Sequence, residues 1–134
     1  MCLSRNKLKT FKDNDNVRIG YKIFDKKYNT YYNPYQLCSI RHTMGSWYEN
    51  KWKAKLHAGC YHLGYDFHHI FYKSGFHFYS SNSPSLFPFM RTSPTNCHRP
   101  QVVVECICEN ITATGEQNLR DAFVAQSYRL MREV

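Results

Sequence analysis

The chain has 134 residues, six cysteines and a formal net charge of +8. Hydrophobic residues make up 43% and charged residues 21%, which excludes a disordered chain, and no apolar run is long enough for a membrane-spanning helix. The length fits one domain, and no heptad, collagen or solenoid period is present.

The charge is unevenly placed. Residues 1–60 hold nine Lys and three Arg against Asp13, Asp15, Asp25 and Glu49, whereas residues 61–134 are balanced. Three basic clusters carry the excess, over residues 5–12, 22–27 and 51–55. Such asymmetry attracts polyanions and speeds encounter with them. Aromatic residues reach 16%, with eleven Tyr and nine Phe. Many Tyr and few Leu predict a β-rich domain with a broad amphipathic surface.

In chain order, residues 1–16 are polar and basic and predict a mobile N-terminal arm ahead of one globular domain over 17–134. They lack the apolar stretch and cleavage site of a secretory signal, so free thiols in a reducing cytoplasm are expected. Val17–Phe24 alternates and is rich in β-branched residues, which predicts a strand. Residues 25–33 form a polar connection, and residues 34–40 fit a short helix or a strand. Trp47, Tyr48 and Trp52 follow in a basic stretch with Lys51, Lys53 and Lys55. Lys73-Ser74-Gly75 predicts a turn in which glycine supplies a positive φ, leading into a strand over Phe76–Tyr79. Residues 80–100 contain four prolines and predict a loop. Gln101–Cys108 carries a valine run that predicts a central, buried strand. Thr114-x-x-Gln117 is compatible with a capping box opening a helix, and Ala122–Arg132 also alternates as a strand would. Asn110-Ile111-Thr112 is a formal glycosylation sequon without meaning in a cytoplasmic protein.

Several constellations bear on chemistry. Five of the seven histidines fall between His57 and His77, close to Cys60. His57, Cys60, His62 and His68 could together offer zinc four N or S ligands, but the paired ligand knuckles of zinc fingers are missing, and His68 and His69 diverge on a strand. Cys97-His98 and Cys106-x-Cys108 are more distant. No cofactor is therefore expected, with zinc as the exception to test. Cys60 near His62 has the composition of an activated thiol and nothing more. No nucleophile elbow and no phosphate-binding glycine loop is present. Gly75–Tyr79 followed by Val102–Val104 is similar to the strand arrangement of small ADP-ribosyltransferase-type domains. The glutamate those enzymes use has no clear counterpart, since Glu105 sits inside the valine strand and Glu116 follows a turn.

One skeleton runs through the chain: Y-K-I-F at Tyr21–Phe24, W-Y at Trp47-Tyr48, G-F-H-F at Gly75–Phe78, V-V-V-E at Val102–Glu105, A-T-G at Ala113–Gly115, and V-A with R-L-x-R-E over Val124–Glu133. This resembles a family of small uncharacterised proteins of phages and other large DNA viruses. The resemblance implies a compact α+β, β-rich domain on a small, mostly antiparallel sheet, and it favours the strand over Ala122–Arg132. It implies a non-enzymatic binding protein of the host cytoplasm that interferes with host machinery, including host defence. The basic half then selects an anionic partner: nucleic acid, a nucleotide signal, or a nucleic-acid-binding host complex. No membrane partner is expected. Lys22, Lys26, Lys27, Lys51, Lys53 and Lys55 are the expected charges, Trp47, Tyr48 and Trp52 the stacking groups, and His77 and Tyr79 a pocket beside the sheet. The rival is a nucleotide-using enzyme resembling ADP-ribosyltransferases, with His77 and Glu105 or Glu116 in its site.

Overall fold

The structure is a computed structural model that describes residues 3–11, 16–33, 41–49, 56–63, 66–73, 75–82 and 100–134, with the backbone alone along 4–7, 56–63 and 66–73. Its strands are β1 (Ser4–Thr10), β2 (Arg18–Lys27), β3 (Thr30–Tyr32), β4 (Arg41–His42), β5 (Trp47–Glu49), β6 (Leu56–Leu63), β7 (Asp66–Lys73), β8 (Phe76–Tyr79), β9 (Gln101–Gln117) and β10 (Arg120–Glu133). Among the described residues there is no helix, so the β-rich expectation holds and the helical part of α+β finds no element. Residues 34–40, 50–55 and 83–99 lie outside the described residues.

The strand expected at Gln101–Cys108 is the first half of β9, which runs on for 17 residues and forms a long antiparallel hairpin with β10. Residues 114–117, compatible with a helix start, are therefore strand, and Ala122–Arg132 lies within β10. β9 is rich in valine, isoleucine and threonine, which fit a pleated surface and disfavour helix. The other strands attach to this hairpin. β1 and β2 pair with β9, while β8 and β5 pair with β10. β2 also meets β8 at Tyr21–Tyr79. The pairings β9–β10, β10–β8, β8–β2 and β2–β9 thus form a ring, and the sheet closes on itself. β3 and β4 extend β2, and β6–β7 is a separate hairpin.

Closure gives the sheet an inner face. Phe24, Phe78, Val104, Cys106, Cys108, Ile111, Phe123, Tyr128 and Leu130 are buried there in one cluster. Phe78 stacks on Phe123 with centroids 5.7 Å apart, and Phe76 and Phe78 meet Tyr128 edge-on at 4.7 and 5.2 Å. Gly20 lets these rings close: a Cβ there would stand 2.6 Å from Phe123 Cζ and 2.8 Å from Phe78 Cβ. Gly75 is needed for the same reason, since its Cβ would meet Ala125 O at 2.7 Å. It is not at positive φ, so close approach to β10 rather than turn geometry explains it.

A second, smaller core lies on the opposite face of the hairpin: Leu3, Tyr79, Ala113, Ala122 and Val124, with Leu8 packed against it. The inward parity of β9 changes between Cys108 and Ile111, across Asn110 at φ 56, and its register with β10 shifts at Val124/Ala125. Such irregularities bend a strand and turn its apolar set to the other face. Residues 4–10, expected in a mobile arm, instead form β1 along β9, and Leu3 is buried in the second core. Arg5, Lys7 and Lys9 thereby belong to a sheet strand.

Candidate functional site

The outer face of the sheet carries one row that crosses four strands. Ile19 on β2 is opposite Ile107 on β9, Ile107 is opposite Arg129 on β10, and Arg129 is opposite Trp47 on β5. Residues directly opposite in antiparallel strands project from the same face. Ile19 is 47% exposed and Trp47 44%, so both ends of the row meet solvent. The Arg129 guanidinium lies 5.9 Å from the centre of the Trp47 ring, a cation–π contact that holds the indole in place. Arg129 Nε is enclosed and has no acceptor among the described residues.

Beside this row sits a charged group. Arg132 Nε donates to Glu105 Oε2 at 2.7 Å, and the Tyr21 hydroxyl donates to Glu105 Oε1 at 3.2 Å. The Arg132 bond holds the Glu105 carboxyl below its ordinary range. Glu105 is therefore committed as an ion-pair partner. Glu116, the other acid expected for an enzyme, is on β9 opposite Asp121 and Ser4.

The predicted site residues are dispersed. Trp47 faces out, whereas Tyr48 is half-buried, accepts the Thr43 N–H at 2.7 Å and packs its ring on His42. Lys27 is exposed at the β2–β3 turn. Lys26 pairs with Glu133 Oε1 at 2.5 Å, which lowers the Glu133 carboxyl. Lys22 donates to the His77 carbonyl at 3.1 Å on the inner face. The lysines of the 22–27 cluster thus point to different places. Lys51, Trp52, Lys53 and Lys55 lie outside the described residues.

His77 and Tyr79 do share a face, on the outer side of β8. His77 Nδ1–H donates to Gln117 Oε1 at 2.9 Å, and the Tyr79 hydroxyl accepts from Asn118 Nδ2 at 3.0 Å. Tyr79 is 8% exposed and belongs to the second core, and burial raises its hydroxyl above the ordinary range. The zinc candidates His57, Cys60, His62 and His68 fall on β6 and β7, where Cys60 is opposite His69 and Tyr61 opposite His68; their side chains lie outside what is described. Among the described residues no group of three or more His, Cys, Asp or Glu is placed to hold a metal. Cys106 and Cys108 are buried thiols, and burial pushes Cys106 up to about 12 and Cys108 further up.

Two elements of this arrangement were not legible in the sequence. Arg129 acquires its role from Trp47, which reaches it only through the β5–β10 pairing. His42 is 2% exposed; its Nδ1–H donates to Tyr31 O at 3.2 Å and its Nε2 accepts the Tyr128 hydroxyl at 2.5 Å. These partners lie far along the chain, and no local motif announces them. Among the described residues no helix is long and apolar enough to cross a membrane. Compared with family models, with curated proteins and with solved structures, the chain matches none.

Proposed function

We propose that the chain is a non-enzymatic binding protein that engages single-stranded nucleic acid on its outer sheet face, through Trp47 and Arg129 with Ile19 and Ile107 beside them. The observation that carries this reading is the exposed Trp47 ring held against the Arg129 guanidinium in an otherwise apolar row. Bases stack on an indole whatever their identity, and a neighbouring guanidinium draws the phosphate backbone. The excess of twelve basic over four acidic residues in positions 1–60 adds long-range attraction. As the resemblance to phage and large-DNA-virus proteins implies, the same proposal places the chain in an infected host's cytoplasm, where covering exposed strands blocks host machinery.

The test is binding of a fluorescent oligothymidylate, followed by anisotropy and by quenching of tryptophan emission. Affinity should fall steeply as salt rises. Trp47→Ala should weaken binding about tenfold, since stacking contributes roughly 1–3 kcal/mol per base. Arg129→Ala should weaken it and flatten the salt dependence. Absence of binding at low salt, or full affinity in Trp47→Ala, would overturn the proposal.

A further inference from the structure

Residues 41–49 carry Trp47 and are attached to the sheet by few bonds. β4 pairs with β3 at two positions, Tyr31–His42 and Tyr32–Arg41, and β5 pairs with β10 at three. Between them Gly45 N–H donates to Leu130 O at 2.8 Å, and Thr43 N–H donates to the Tyr48 hydroxyl at 2.7 Å. The side chain that fastens this segment inward is His42, which bonds to the strands on either side of it. Its Nδ1–H donates to Tyr31 O on β3, and its Nε2 accepts the Tyr128 hydroxyl on β10. Its ring lies 5.2 Å from Phe24, 4.3 Å from Tyr48 and 5.8 Å from Tyr128, centroid to centroid. Among the described residues, the titratable groups that face it are Tyr31 from β3, Tyr48 from β5 and Tyr128 from β10, with Phe24 from β2 and the thiols of Cys106 and Cys108 beside Tyr128. Lys26 and Glu133 stand at the Tyr31 hydroxyl and pair with each other.

We propose that His42 is an acid-sensitive latch: its protonation releases residues 41–49 from the sheet and withdraws Trp47 from Arg129. Hydrogen-bond directions decide this. Nδ1 faces a carbonyl oxygen and must carry a hydrogen, so the neutral ring accepts at Nε2. A second proton has to go on Nε2, where the Tyr128 hydroxyl already points its own hydrogen. The Tyr128 oxygen would have to become the acceptor. Its hydrogen would then be left among the rings of Phe76 and Phe78, with no other partner among the described residues. The imidazolium would also stand out of water, and the neighbouring ring faces return only part of that cost. In the released segment the imidazole meets water and takes its proton at the ordinary value of about 6.5. The released form thus binds more protons, so the closed form loses stability as pH falls through that range and keeps it above. Tyr48 packs on His42, and Trp47 is its neighbour in β5, so the indole leaves with the latch. The consequence for binding rests on the outer-face reading: nucleic acid is held near neutral pH and let go in acid.

The experiment is an NMR titration of the full chain from about pH 7.5 to about 4.5, a range that brackets the ordinary imidazole value. The Trp47 indole N–H is identified by its loss in Trp47→Phe, and the His42 ring signal by its loss in His42→Gln, which keeps a donor and an acceptor but cannot take the proton. The Trp47 signal should move to the position of a solvated indole in one step that shares its midpoint with His42. In His42→Gln nearly all of that movement should be lost. Oligothymidylate affinity should fall about tenfold across the step relative to His42→Gln, the loss of one stacked base. If His42→Gln fails to fold, the unaltered chain decides by whether the two midpoints coincide. A Trp47 signal that stays put while His42 titrates would overturn the proposal, as would an acid step that persists in His42→Gln. A shared step without oligothymidylate binding at any pH would overturn the outer-face reading and leave the latch standing; binding with no step would overturn the latch alone.

Discussion

At Lys22, burial works against the charged form, and this ties stability to pH. The folded chain releases the Lys22 proton near 8, whereas the unfolded chain keeps it to 10.5. Between those values the unfolded state binds more protons, so the Lys22 contribution to stability rises with pH. Cys106 acts in the opposite sense. Burial pushes its thiol from 9.0 to about 12, and burial together with Glu133 pushes Tyr31 from 10.0 to about 12. Above pH 9 the unfolded chain loses protons that the folded chain retains, and stability falls. Urea midpoints should therefore climb slightly from pH 8 to 9 and drop beyond it. In Lys22→Met the climb should vanish and the drop remain; a climb that persists would place its origin elsewhere.

The β9–β10 turn sets local geometry against side-chain choice. Asn118 and Leu119 have φ of 52° and 62°, the left-handed pair that a two-residue hairpin connection requires. Asparagine tolerates this conformation; leucine does not, and Leu119 is 92% exposed, with no packing to offset the strain. Leu119→Gly should raise stability by about 1 kcal/mol in equilibrium unfolding, the left-handed cost less the added chain entropy of glycine. No change in midpoint would show that the turn relaxes around leucine. The elements differ in how plainly the sequence announces them. β2, β8 and the first half of β9 are legible from their β-branched and aromatic residues, whereas β10 reads from its residues as either helix or strand, and only the resemblance favours the strand. β1 is not. Its S-R-N-K-L-K-T is polar, and only the pairing with β9 and the burial of Leu3 beside it make it a strand. Propensity gave way there to tertiary context. The outer row was half legible: Trp47 stood out as a large aromatic in a basic stretch, but its neighbours Arg129 and Ile107 come from register, which a single sequence does not reveal.

Across the whole molecule, the last hairpin is the common partner. β1 and β2 both lean on β9, and β8 and β5 both lean on β10. Leu3, 2% exposed, ties the opening of the chain into the second core beside Gly115. Leu3→Ala should lower stability by about 2–3 kcal/mol in urea titrations. It should also speed amide hydrogen exchange along β1 and residues 113–116 of β9 before it affects β2. Uniform acceleration would mean that the two cores unfold together. The ring itself closes between β8 and β2 at Tyr21–Tyr79, a far shorter contact than the run of pairs joining β2 to β9.

The dependence of the early strands on β9 also orders events on the ribosome. β2 is made about eighty residues before β9, so at roughly 5–20 residues per second it waits several seconds for its main partner. Through that interval an alternating, half-apolar strand is in the cell with its ladder unfilled. The nascent chain is then exposed to chaperones, and to other copies emerging from the same message, until β9 has been made.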